Sequence, residues 1–162
     1  LGLRPYQRLY FTTFKYGDLS VFNAPHQKRA LTTLAEDTHI VLFTGIASAA
    51  PLVKTLHEYT EHITHLEYGD HHNFTRSELH HIATTFTKTK APDKILISTE
   101  KDAARLTSYP LDEVVSSNLY VLPIEVEFLQ GQQEQFNKYI LDYVSKNSRN
   151  RIVHQKTDTH KS

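Results

Sequence analysis

Between residues 38 and 145 the chain switches repeatedly between two hydrophobic periods. His39–Thr44 (HIVLFT) is a short β-branched apolar run that stops at Gly45, which predicts a buried strand. Residues 51–59 (PLVKTLHEY) then space their apolar side chains for a helix, and Pro51 suits a first helical turn, where no N–H is needed. Residues 63–68 (ITHLEY) predict a second strand, which runs into Gly69-Asp70-His71-His72. Thr75 and Glu78 have the spacing of a capping box, in which each side chain satisfies a backbone N–H of the other; this predicts a helix over 76–86. After Pro92, residues 94–98 (KILIS) predict a third strand, and Thr99-Glu100-Lys101-Asp102 leads into a helix through Leu106. Residues 118–123 (NLYVLP) predict a fourth strand. Residues 132–144 predict a last helix, with Phe136, Ile140, Leu141 and Val144 on one side.

Alternation of strand and helix predicts an α/β fold: a three-layer α/β/α lobe over residues 38–145, with a mostly parallel sheet of about four to five strands wound by right-handed crossovers. Residues 1–37 break the alternation. There, 10–16 and 19–22 flank Gly17-Asp18, which predicts a β-hairpin outside the core, linking to a preceding lobe. Residues 146–162 are polar and basic without periodicity and read as a loose, disordered tail.

Composition narrows the class. Of 162 residues 39% are hydrophobic, and nine Tyr and eight Phe supply bulk enough for one ordinary core. Eighteen basic residues balance eighteen acidic ones, so no global charge argues for nucleic acid or an anionic membrane. With no Cys there is neither a disulfide framework nor a thiolate zinc site, and the usage fits a reducing compartment. No run approaches the ~18 apolar residues of a membrane-spanning helix. The absence of Met, with Leu1 at the start, leads us to expect a piece of a longer polypeptide.

Parallel sheets present functional groups at the carboxyl ends of their strands. Three clusters fall there: Thr44-Gly45-Ile46, Asp70-His71-His72 and Thr99-Glu100-Lys101-Asp102. A carboxylate beside two imidazoles is material for general acid–base work or for a metal. Adjacent residues leaving a strand diverge, however, and adding His80 or His81 from the next helix gives no familiar ligand spacing, so no metal site is expected. Lys101 and Asp102 suit phosphate or Mg²⁺, while the plainer account has Thr99 capping the helix and Asp102 facing its positive end. The amides after Gly45 suit an anion at the Pro51 helix, or simply a strand-to-helix turn. No GxxxxGK[ST] phosphate loop occurs in the chain.

Taken in order, Leu42-Phe43-Thr44-Gly45-Ile46, Gly69-Asp70-His71-His72-Asn73-Phe74-Thr75, Ser98-Thr99-Glu100-Lys101-Asp102-Ala103-Ala104-Arg105-Leu106 and Leu119-Tyr120-Val121-Leu122-Pro123-Ile124 resemble the C-terminal half of the tetraacyldisaccharide 4'-kinase family of lipid A synthesis. The resemblance implies two α/β/α lobes joined by a β linker. It implies transfer of the ATP γ-phosphate to the 4'-hydroxyl of a lipid A disaccharide 1-phosphate, by an enzyme peripheral to the cytoplasmic face of the bacterial inner membrane. The N-terminal P-loop lobe, with ATP and Mg²⁺, is expected to be the missing partner, leaving this fragment inactive alone and without a cofactor of its own. By the same resemblance His71, beside Asp70, partners an Asp of the other lobe, the expected base; Gly45, His72, Thr99, Glu100, Lys101 and Asp102 line or support the cleft. Relatives often carry Gly-x-x-x-Pro after the first strand, where this chain has Gly45-Ile46-Ala47-Ser48-Ala49-Ala50-Pro51, and the second imidazole, His72, is a further departure. The alternatives are a metal-dependent phosphoesterase built on Asp70-His71-His72 and a non-catalytic α/β interaction module.

Overall fold

The computed structural model describes residues 2–4, 6–106 and 110–157, with side chains as far as 147. Two compact units emerge: Tyr16–Glu125, and Leu1–Lys15 together with Val126–Ser162.

The first unit is built on a six-stranded sheet. Its strands are β2 (Leu19–Val21), β3 (Ala24–Arg29), β4 (His39–Thr44), β5 (Ile63–Glu67), β6 (Lys94–Thr99) and β7 (Leu119–Leu122), in the order β3-β2-β7-β6-β4-β5. β7, β6, β4 and β5 run parallel, with Ile40 opposite Ile63 and Ile95, and Ile97 opposite Tyr120. Helices α1 (Ala50–Leu56), α2 (Arg76–Lys88), α3 (Glu100–Leu106) and α4 (Glu113–Asn118) supply the crossovers. Successive strand residues face opposite sides, so β4 sends Ile40 and Leu42 to one core with Leu52 and Leu56 of α1. It sends Val41 and Phe43 to the other, with Ile82 and Phe86 of α2 and Val115 of α4. Both layers are dry: Ile40, Leu42, Phe43, Leu56 and Ile82 are fully buried. This is the expected α/β fold with a mostly parallel sheet.

An N-terminal hairpin is present, but its strands are β2 and β3, turning at Phe22-Asn23, and it extends the sheet instead of lying outside it. β2 pairs antiparallel with β7, Ser20 opposite Val121, which buries Leu19 completely. β1 (Thr12–Tyr16), whose side chains are largely exposed, has nothing to gain on that face; it pairs with β8 (Ile124–Phe128). The compact unit therefore begins at Tyr16, where the sequence pattern puts the boundary at 38.

Most of the β1–β8 pair belongs to the second unit, in which Tyr10, Phe128 and Phe136 pack their rings edge to face or tilted, with centroids 4.8–6.2 Å apart. Its helix α5 (Gln133–Thr157) runs past the last periodic apolar residue, Val144. Residues 146–157, expected as tail, are thus helical. They contain neither Pro nor Gly to stop a helix, and Lys, Gln and Arg are adequate helix formers. Residues 158–162 of the expected tail lie outside the described residues. No helix among the described residues is long and apolar enough to cross a membrane.

Candidate active site

The carboxyl ends of β5, β4 and β6 are neighbours in the sheet, so the three sequence clusters meet at one edge. Asp102 is the hub. Its side chain is wholly buried on the first turn of α3, and burying a carboxylate is tolerable only with hydrogen bonds to satisfy it. One oxygen accepts from the Gly45 N–H at 2.9 Å and from Thr99 Oγ1 at 2.8 Å; the other accepts from Arg105 Nη1 at 3.2 Å. The Asp102 N–H in turn donates to Thr99 Oγ1. The carboxylate therefore ties the end of β4 to the end of β6 and the start of α3.

Gly45 is required by this closeness. A Cβ there would stand 3.0 Å from Asp102 Oδ1, 3.1 Å from His72 Cβ and 3.3 Å from the Gly69 carbonyl. Just before it, the buried Thr44 hydroxyl lies 2.9 Å from His65 Nε2 on β5.

His71 sits in the left-handed region, φ 59°, which non-glycine residues occupy at a cost and which recurs at functional sites. Its N–H donates to the Gly45 carbonyl at 3.2 Å and to Asp70 Oδ1 at 2.9 Å, which holds the backbone in that state. The ring stands in solvent, with Arg105 Nη2 3.2 Å from Nδ1 and Asp70 Oδ2 3.6 Å from Nε2. Asp70 Oδ1 also accepts from Lys101 Nζ at 2.7 Å, and that bond, followed by the His71 amide, holds the carboxyl below the ordinary Asp range.

His72 turns the other way. Its Nε2 lies 2.9 Å from Glu78 Oε2, and its ring stacks on Tyr68 with centroids 5.1 Å apart and meets Phe74 edge-on. Glu78 Oε2 also accepts from the Thr75 N–H, while Thr75 Oγ1 accepts from the Glu78 N–H, so the predicted capping box is formed. The Thr75 amide first, then His72, pulls the Glu78 pKa down to about 2.

Gly45, Asp70, His71, Thr99, Lys101 and Asp102 are thus brought together, while His72 buttresses α2 from their margin. Glu100 lines a cavity of about 230 Å³ with Ile46, Thr99, Lys101 and Ile124. The two imidazoles diverge, and His80 lines a different cavity with Asp112 and Glu113. Among the described residues no group of three or more His, Asp or Glu side chains could hold a metal. Sequence reasoning missed Arg105. It lies within the Ser98–Leu106 segment that carries the resemblance, three residues after Asp102 on the same helical face, but no local pattern marks it as a site residue.

Fold and site together define an α/β protein whose charged groups converge at the carboxyl edge of a parallel sheet, the place where such sheets take ligands. Residues 8–145 match the family model described as tetraacyldisaccharide-1-P 4'-kinase. The tetraacyldisaccharide 4'-kinase of Phocaeicola vulgatus is 48% identical over 151 residues, covering 93% of this chain and 41% of that protein. Its counterpart in Bacteroides fragilis is 43% identical over 166 residues, covering 100% of this chain and 44% of that one. A crystal structure of LpxK from Aquifex aeolicus in complex with ATP gives a TM-score of 0.48 at 14% identity, covering 88% of this chain and 38% of that one. The chain belongs to the tetraacyldisaccharide-1-P 4'-kinase family. It spans less than half the length of the curated relatives it matches.

Proposed function

We propose that this chain forms one wall of the cleft of a lipid A 4'-kinase, in which the γ-phosphate of ATP passes to the 4'-hydroxyl of a tetraacylated disaccharide 1-phosphate. The observation that carries the reading is His71: an imidazole presented at the carboxyl edge of the sheet on a left-handed backbone, within a family match that runs through it. Phosphoryl transfer asks for alignment and charge neutralisation more than for covalent help. An imidazole that orients a neighbouring carboxylate lets that carboxylate take the hydroxyl proton as the bond to phosphorus forms. Asp70, Lys101 and Arg105 hold the loop that carries His71, and Asp102 holds Arg105.

The donor set here does not fit ATP or Mg²⁺. Asp102 is buried with three donors on its oxygens, Asp70 is paired with Lys101, and the chain has no phosphate loop. We assign both to a P-loop lobe of the same enzyme, the partner this chain needs for activity, working at the cytoplasmic face of the bacterial inner membrane. In the complete enzyme, His71→Ala is expected to lower kcat by ~10²–10⁴-fold, the range of an acid–base group. Near-normal turnover in a steady-state phosphorylation assay would remove His71 from the mechanism.

A further inference from the structure

The His71 side chain is 72% exposed, so packing contributes little to the orientation of its ring. Hydrogen bonding has to supply it. A guanidinium is always charged and has donors only. With Arg105 Nη2 3.2 Å from Nδ1, that nitrogen must offer its lone pair, and the proton of the neutral ring then sits on Nε2. The guanidinium is itself held: Nη1 donates to Asp102 Oδ1, whose carboxylate is fixed by the Gly45 amide and Thr99 Oγ1, and only 21% of the Arg105 side chain is exposed. A chain of contacts therefore runs from the end of β4 through Asp102 and Arg105 to one nitrogen of His71. The other nitrogen is left with Asp70 Oδ2 at 3.6 Å, beyond hydrogen-bond length.

We propose that Arg105 is a positioning residue for the phosphoryl transfer: it holds His71 as the Nε2–H tautomer, so that Nε2 acts as a hydrogen-bond donor to a carboxylate in the closed cleft. This rests on the role given to His71 above and extends it, since it says which nitrogen acts and in which direction the hydrogen bond runs. The planar fork matters because its two arms reach two acceptors at once, which a lysine ammonium on a flexible stem does not reproduce.

The test uses the complete kinase with ¹⁵N-labelled histidine, the His71 signals being assigned by their loss in His71→Gln. Long-range proton–nitrogen correlation spectra read the tautomer, and steady-state kinetics are measured on the same samples. The wild type is expected to show Nε2–H. Arg105→Met keeps the apolar stem and removes the donors; it should give a mixture of tautomers and lower kcat by up to about 10²-fold, the cost of a misplaced reacting group, with little change in KM. Arg105→Lys, which keeps a donor but cannot hold both acceptors at once, should recover the Nε2–H signature and kcat only in part. Arg105→Gln, too short to bridge both acceptors, carries the same expectation as Met should the Met form fail to fold. A wild-type His71 spectrum in the Met or Gln variant overturns the Arg105 proposal alone. A shifted tautomer with unchanged kcat, in an enzyme whose His71→Ala form also turns over normally, overturns the role of His71 and with it the use of this contact.

Discussion

At Gly45 the ends of β4, β5 and β6 approach so closely that one methyl group decides whether they fit. Of the three atoms a Cβ would meet, Gly69 O is backbone and Asp102 Oδ1 is anchored in a buried set of hydrogen bonds, so neither can give way cheaply. Overpacking of this kind costs ~1–3 kcal/mol, while the entropy removed from the unfolded chain by Gly→Ala returns only ~0.4–1 kcal/mol. Gly45→Ala is therefore expected to be destabilising by about 1–2 kcal/mol, a fall in Tm of ~2–4 °C for each kcal/mol in a chain of this size. Urea and thermal unfolding measure it; a variant as stable as the parent would mean that this junction has slack. Most of this junction was legible in the sequence, because Gly45, Asp70, His71 and Asp102 all sit where predicted strands end. Arg105 was not, since its worth lies in reaching across from α3 to the loop after β5, a tertiary fact that local spacing does not carry.

Element by element, legibility follows local chemistry. The capping box of α2 was readable because both partners lie within four residues, and β4 and β6 because they are buried on both faces. β3 (APHQKR) is an edge strand with exposed side chains and thus no hydrophobic period, and it was invisible. β8 carries a signal, the alternation of Ile124, Val126 and Phe128 with Glu125 and Glu127, but it begins directly after Pro123, which ends the preceding predicted strand and masks the start of a new one. The α2 cap also sets a pH dependence. Glu78 has a folded pKa of about 2, below the ~4.3 of an unfolded Glu, so the unfolded state takes up its proton first as pH falls. By linkage its contribution is fully present above the unfolded value and is lost as pH drops from ~5 towards 2. The stability gap between the parent chain and Glu78→Gln, measured by urea unfolding across this range, should narrow steadily towards pH 2; a gap constant with pH would show that the charge on Glu78 is irrelevant to the cap.

For the molecule as a whole, the question is whether a nucleotide has anywhere to go within this chain. The cavity beside the candidate site is about 230 Å³, smaller than the ~300 Å³ at which ligand pockets begin. A larger one, about 520 Å³, lies at the opposite, amino-terminal end of the sheet, and its lining includes Glu36, Asp37, Glu58 and Glu61. Four carboxylates make it a poor host for a triphosphate, whatever its size. At the site itself the positive groups are already engaged, Lys101 with Asp70 and Arg105 with Asp102 and His71, so a phosphate would have to displace internal ion pairs. Nor does the sequence contain the GxxxxGK[ST] pattern of a P-loop. The sheet edge is thus equipped to present one oriented imidazole and to brace it, and under the proposed function ATP is held by the other part of the enzyme. Isothermal titration of the 162-residue chain with MgATP should accordingly show no saturable heat, whereas the complete kinase should bind. Saturable binding to this chain, abolished by Lys101→Ala, would instead put the nucleotide on these strands and reverse the division of labour between the two parts of the enzyme.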